Sequence, residues 1–267
     1  MLKSFYCKTK SRKTLYLSLN HSTLKSAFMK KILIGSFLLL VVNNLLAQKT
    51  NLEKSFSASA AAGNREFSTA FMYQHLWKLG KKQKFKVGAG LRLTNYFGFD
   101  RYYTTAPAKL TSGQTGPGVL FAEDIPQNID SVIFNHTQVN ALNLSINFEY
   151  EIAKKLRLGF NIDAIGFSIG GKQNGNYLGN NGIGSATSAK PTGFNLLLVS
   201  DNDLGSLNSE FFAAYQYNKK WSAKLGFQFL FAEYTTDTKV QTTPDLQRND
   251  RFRNKSSAIS LGIIYTF

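Results

Sequence analysis

Two patterns interlock along this chain and leave it few folds to choose from. Eight segments alternate large apolar with small or polar residues at a period of two, which places successive side chains on opposite faces of a strand. The connections between them alternate in length. Tight turns lie at Gly80-Lys81-Lys82, Ala153-Lys154-Lys155 and Asn218-Lys219-Lys220, and long polar stretches at about 98–136, 170–206 and 236–254. On the long-loop side only the first connection, around Gly63-Asn64-Arg65, is short. Loops this long are uncommon in compact soluble domains. Short turns at one end and long loops at the other, on an even number of strands, describe a barrel that crosses a membrane.

The expected strands are about Ser55–Ala62, Glu66–Leu79, Gln83–Phe97, Thr137–Ile152, Leu156–Ile169, Leu207–Tyr217, Trp221–Thr235 and Lys255–Phe267. The fourth is the clearest, with Leu142, Leu144, Ile146, Phe148, Tyr150 and Ile152 set against Asn143, Ser145, Asn147, Glu149 and Glu151. The first, mostly alanine and serine, carries the least signal. In the last, Ile264 is the one large apolar residue on the small or polar face. Register follows from facing like with like: Ile152 opposite Leu156, and Tyr217 opposite Trp221. A one-residue slip would turn every side chain to the wrong face. The first pairing also sets Glu151 opposite Arg157.

Aromatic residues gather at strand ends. Trp77, Tyr150, Tyr217, Trp221 and Tyr265 are expected at a membrane interface on the turn side, as paired aromatic girdles flank the apolar band of such barrels. The face opposite the apolar one is ionic. Lys86, Arg92, Glu149, Glu151, Arg157, Asp163, Glu210 and Lys224 are expected inside the barrel as a paired network, because charges removed from water need partners.

The formal charge of +16 does not point to nucleic acid. Residues 1–47 contain eight Lys or Arg and no Asp or Glu, which leaves 24 basic against 16 acidic residues in the remainder. Within 1–47, Met29-Lys30-Lys31 precedes the apolar run Ile32–Val42 and the small residue Ala47. This is the form of a secretory signal peptide, and the run is shorter than the roughly 20 residues a membrane-spanning helix needs. The expected division is a leader at 1–47, with Met29 as the true start and a signal peptide at 29–47, and a barrel at 48–267. The single cysteine, Cys7, falls in the leader.

The leader, the eight amphipathic strands, the alternating turn lengths and the closing Tyr265-Thr266-Phe267 together resemble the small bacterial outer-membrane β-barrel family of OmpX and the membrane domain of OmpA. The resemblance covers about 50–267. It implies an all-β, eight-stranded antiparallel up-and-down transmembrane barrel in the outer membrane of a Gram-negative bacterium. It further implies that Tyr265 and Phe267 act as the signal read by the barrel-assembly machinery.

Catalytic chemistry has little to stand on. His75 falls on the lipid face, and His136 lies at the outer end of the fourth strand beside a loop with Glu123, Asp124 and Asp130. The glycine-rich stretch from Gly170 to Gly184 lacks the Gly-Lys-Ser/Thr ending of a phosphate loop and reads as a flexible surface loop. No catalytic, metal or cofactor residue is assigned. The expected role is non-catalytic, structural or surface-interacting through the long loops. Its expected partners are outer-membrane lipids, the assembly machinery and an extracellular ligand at the loops. The alternatives are a porin-like conduit for small solutes and a lipid-modifying enzyme.

Overall fold

The structure, a computed structural model, describes residues 52–180, 182–198 and 200–267. The signal peptide expected at 29–47 lies outside them. Thirteen strands occur among the described residues: β1 (Leu52–Gly63), β2 (Glu66–Leu79), β3 (Phe85–Thr105), β4 (Ser131–Ala153), β5 (Leu156–Ile169), β6 (Gln173–Leu178), β7 (Gly184–Pro191), β8 (Phe194–Leu196), β9 (Leu207–Gln216), β10 (Trp221–Thr236), β11 (Gln241–Thr242), β12 (Arg248–Asn249) and β13 (Arg251–Thr266). Eight form a closed antiparallel wall in the order β1-β2-β3-β4-β5-β9-β10-β13 and back to β1. Closure runs from Ser55 opposite Thr266 to Ala62 opposite Ile259. No edge of this wall is left unpaired, so its strands satisfy their backbone groups within the sheet, as a span through lipid requires.

The alternation decides which face meets lipid. On β4, Leu142, Leu144, Ile146, Phe148, Tyr150 and Ile152 point out and are exposed. They cover eleven residues, about the length that takes a tilted strand across the hydrocarbon. Leu91, Phe211, Leu225, Phe227, Ile259 and Leu261 continue this apolar belt around the wall. Facing inward, Asn143, Ser145, Asn147 and Glu149 are buried. This is the build of a transmembrane barrel.

The long connections are strands as well as loops. Beyond the belt, β3 and β4 continue side by side, and the β6–β7 hairpin inserts between β4 and β10. At the top, β13 pairs with β3 through Phe252 opposite Thr105. A second, narrower ring results: β3-β4-β6-β7-β10-β13. This six-stranded collar stands on the eight-stranded barrel. Its interior is apolar, with Tyr103, Val132, Phe134, Ala189, Tyr234 and Phe252 among the buried side chains.

Three expectations need correction. Residues 98–105 and 131–136 belong to strands, not loops. Alternation hid them, because the inward face changes parity near Asp100, from Tyr96 and Gly98 to Tyr103 and Thr105. Asp100 has φ +49, a left-handed backbone that Asp tolerates better than most residues. The stretch 170–206 is likewise no simple flexible loop, since it holds β6, β7 and β8. Finally, Ala153 and not Ile152 pairs with Leu156, the chain being irregular between Glu151 and Ala153, while Glu151 remains opposite Arg157. The shift lets Lys154 and Lys155 alone make the turn. The β9–β10 pairing keeps the expected parity, with Gln216 opposite Ser222.

Candidate functional site

Buried polar side chains converge on the lumen, which is filled from the wall inward. At mid-height Arg92 reaches Asp163, with Nη2 to Oδ1 at 2.6 Å. Arg92 also donates to the Asn161 side chain and the Asn208 carbonyl. The second oxygen of Asp163 accepts from Asn143 Nδ2 at 2.7 Å and from the Asn208 amide at 2.9 Å. One carboxylate and one guanidinium are thus saturated by amides, the condition under which a buried ion pair becomes tolerable. Asp163 can do this because β5 is irregular beside it, with Ser145 opposite Asp163 and Leu144 opposite Ile165.

A second pair lies nearer the turns. Lys224 Nζ donates to Glu210 Oε2 at 2.7 Å, and Ser260 donates to Glu210 Oε1 at 2.6 Å. Beside it a small apolar cluster of Phe212, Ala214 and Ile264 fills the lumen, which explains the one large residue on the inward face of β13. Phe212 fits because Gly159 opposite it has no side chain; a Cβ there would come within 2.2 Å of the ring.

At the turn end Arg157 faces Glu149 at 3.1 Å, as an ion pair whose Nε and Oε2 are not aligned for a hydrogen bond. Glu149 also accepts from Gln74 at 3.2 Å. Arg157 therefore meets Glu149, not its cross-strand neighbour Glu151, which lines the open mouth. Lys86 is held by Glu53 at 2.7 Å, and Lys78 reaches the same carboxylate at 3.1 Å. Glu53 escaped the sequence reading although it shares parity with the inward Ser55 and Ser57. Glu66 escaped it too, although it shares parity with the inward Ser68 on β2; it pairs with Arg101 at 3.3 Å and accepts from Ser256 at 2.6 Å.

The loop end is closed differently. Tyr103, Phe134 and Tyr234 form a ring cluster with centroids 5.2 to 5.3 Å apart. Tyr103 donates to Thr137 Oγ1 at 2.9 Å, and Tyr234 donates to the Gln138 carbonyl at 2.9 Å. Each buried hydroxyl is satisfied. Tyr177 donates to Asp130, and burial together with that carboxylate pushes the phenol well above its usual range. On the collar's other face the segment Ser200–Ser206 covers a charged cluster, in which Glu233 binds Arg251 and Arg253, each at 2.8 Å. Asp203 lies in this cover; burial raises its carboxyl above the ordinary value, against the opposing pull of the Leu198 amide.

The aromatic residues form a chain on the outer surface at the turn end. Trp221 meets Tyr265 at 4.9 Å, Tyr265 meets Phe267 at 5.2 Å, and Phe267 meets Tyr73 at 6.2 Å. Lys220 donates to the Tyr265 hydroxyl at 3.1 Å. Tyr150 and Tyr217 are exposed, and Trp77 lies on β2 opposite Val87. His75 touches the Tyr73 hydroxyl at 3.0 Å. His136 packs edge-on against Phe99 outside the wall, while Asp130 is engaged by Tyr177 and the Asn180 amide. The two do not form a catalytic pair. Among the described residues no group of three or more His, Cys, Asp or Glu could hold a metal.

No protein-family model and no curated protein matches the chain. Among solved structures it is similar to Neisserial surface protein A (NspA), at 7% identity and TM-score 0.31, over 81% of this chain and 96% of that one. It is similar to Ail, the attachment invasion locus protein of Yersinia pestis, at 8% identity and TM-score 0.31, over 81% and 98%. A major outer membrane protein from Thermus thermophilus gives 12% identity and TM-score 0.34, over 81% and 99%. Overlaps this loose add no weight to the strand pairing, on which the assignment to the transmembrane β-barrel class rests.

Proposed function

We propose that this chain is an integral protein of a bacterial outer membrane, with a non-catalytic role as a closed, rigid platform that carries its collar and loops outside the bilayer. The observation that carries the reading is the pairing of an outward apolar belt with a lumen filled by side chains from the loop end down to a mouth at the turn end. Ion pairs fill the middle, Phe212 and Ile264 pack beside the Lys224–Glu210 pair on its turn side, and the Tyr103 cluster fills the loop end. Eight strands leave an interior just wide enough for side chains, so a conduit would have to displace them.

The turn end faces the periplasm in this reading, as the short turns of such barrels do. The Trp221-Tyr265-Phe267-Tyr73 chain then sits at the inner interface, and Tyr265 with Phe267 presents the assembly signal. The loop end offers the extracellular surface. It is held firm by sheet pairing, and a partner could bind it with little ordering cost. Planar-bilayer recording of the refolded protein tests the closed lumen. Negligible steady conductance is expected, and a large, stable open channel would favour the conduit instead.

A further inference from the structure

The turn end of the lumen opens into a cavity of about 450 Å³ whose lining holds seven Lys or Arg against two Glu. That imbalance is not an average property of the lumen, where Arg92 and Lys224 each have a carboxylate. One of the two acids is already engaged. Glu53 is shared by Lys86 and Lys78, Arg157 faces Glu149 behind the lining, and Glu151 alone remains beside the four other lysines. Lys82, Lys154, Lys155 and Lys219 stand exposed around the mouth, outside these ion pairs. They come from three different turns, so the wall's closure brings together lysines that are far apart in sequence. Buried Arg157 also lines the cavity; its Nε faces Glu149 at 3.1 Å without an aligned hydrogen bond.

We infer that this mouth is a binding site for a soluble anion bearing two or more phosphate groups. A single phosphate could engage only part of a lysine set spread around a cavity of this size, which lies in the range of small-molecule sites. Ammonium groups act as adaptable point charges toward phosphate and need no fixed fork geometry. The source is the aqueous compartment on the turn side and not the bilayer. Lys86, Arg157 and Gln216 reach the cavity from the inward side of the wall, whereas lipid headgroups would line its outward side. The inference is independent of the proposed role, since a closed lumen and an open one would share this mouth.

The test is calorimetric titration of inorganic tripolyphosphate into the folded protein in neutral detergent. One saturable site is expected, weakening as salt screens the lysines. The double change Lys154→Gln/Lys155→Gln should weaken binding at least tenfold. Lys81→Gln, in a turn but outside the lining, should change it less than twofold. The shift in gel migration on heating verifies that each variant is folded. Absence of a saturable site would overturn the inference, as would equal loss in both variants. So would loss of tripolyphosphate binding on transfer to phosphatidylglycerol nanodiscs, which would assign the lysines to lipid headgroups.

Discussion

The rings of Tyr103 and Tyr234 meet edge to face with centroids 5.3 Å apart, although their strands are separated in the collar wall by β13. The contact therefore runs through the collar's interior and not along its wall. It ties β3 to β10 and closes the loop end. Replacing both tyrosines with alanine should remove this closure and destabilise the fold by about 3 kcal/mol or more per ring, the usual scale for large aromatic truncations in a core. Urea unfolding in detergent checks the loss. The double variant should also show bursts of conductance that the parent lacks, if the Arg92 layer below is displaced as well.

Arg92 and Asp163 should behave as a unit. Asp163→Asn leaves a buried guanidinium without its countercharge, and removal of one partner from such a pair typically costs about 3–5 kcal/mol. Replacing both, as Arg92→Met with Asp163→Leu, should cost clearly less than the two single changes added together. Equilibrium unfolding of the four proteins gives the coupling. Additive losses would show that the pair is not the organising contact of the mid-lumen.

Gly159 and Phe212 make a size-complementary pair across β5 and β9. Gly159→Leu would force a side chain into the ring's position, and the variant should fail to reach the folded, fast-migrating form. Phe212→Ala in the same chain should restore folding by opening the space. Rescue is the informative outcome. A Gly159→Leu protein that folds unaided would mean the ring moves freely, contrary to the packing.

The β6–β7 hairpin is pinned to the β10–β13 connection by Asp237, which accepts from Ser188 Oγ at 2.7 Å and pairs with Lys172. The bonds from Lys172 and Ser188 hold the Asp237 carboxyl below its ordinary value. A lowered folded-state pKa contributes stability above the unfolded value, and that stability is lost as pH falls through the folded one. Protection of the Asp237 amide, which donates to the Ser188 carbonyl at 2.9 Å, should therefore drop on acidification below the ordinary carboxylate range. Hydrogen exchange corrected for intrinsic rates measures it. Asp237→Asn should flatten the dependence. Asp203 has the opposite sign: its raised carboxyl favours the protonated form in the fold, so its cover segment loses stability as pH rises from the unfolded value to the folded one.

What the sequence made legible is what obeys a period of two. The wall strands from Glu66 to Leu79 and from Leu156 to Ile169 keep the expected bounds; the first half-buried face repeats without interruption, and the second does so up to Asp163, beyond which its parity changes. The collar was illegible for a definite reason. Asp100 turns the parity of β3 over, and β4 turns with it between Phe134 and Thr137, so Tyr103 and Phe134 look outward by simple counting. The inward charges were visible wherever they sat mid-strand. Glu53 and Glu66 were missed at strand ends although their parity was correct, and Glu233 and Arg253 because the segment over them is not part of any alternation. Which cation meets which carboxylate was not in the pattern at all. Arg157 chooses Glu149 over the residue facing it, a choice made by side-chain reach.

A closed barrel carried in the outer membrane is tested most directly by cell fractionation followed by gel electrophoresis of heated and unheated samples. The protein should be recovered with the outer membrane and migrate as a compact form until boiled, when it shifts to the position of the unfolded chain. Recovery in the soluble fraction, with no difference on boiling, would contradict the closed membrane barrel.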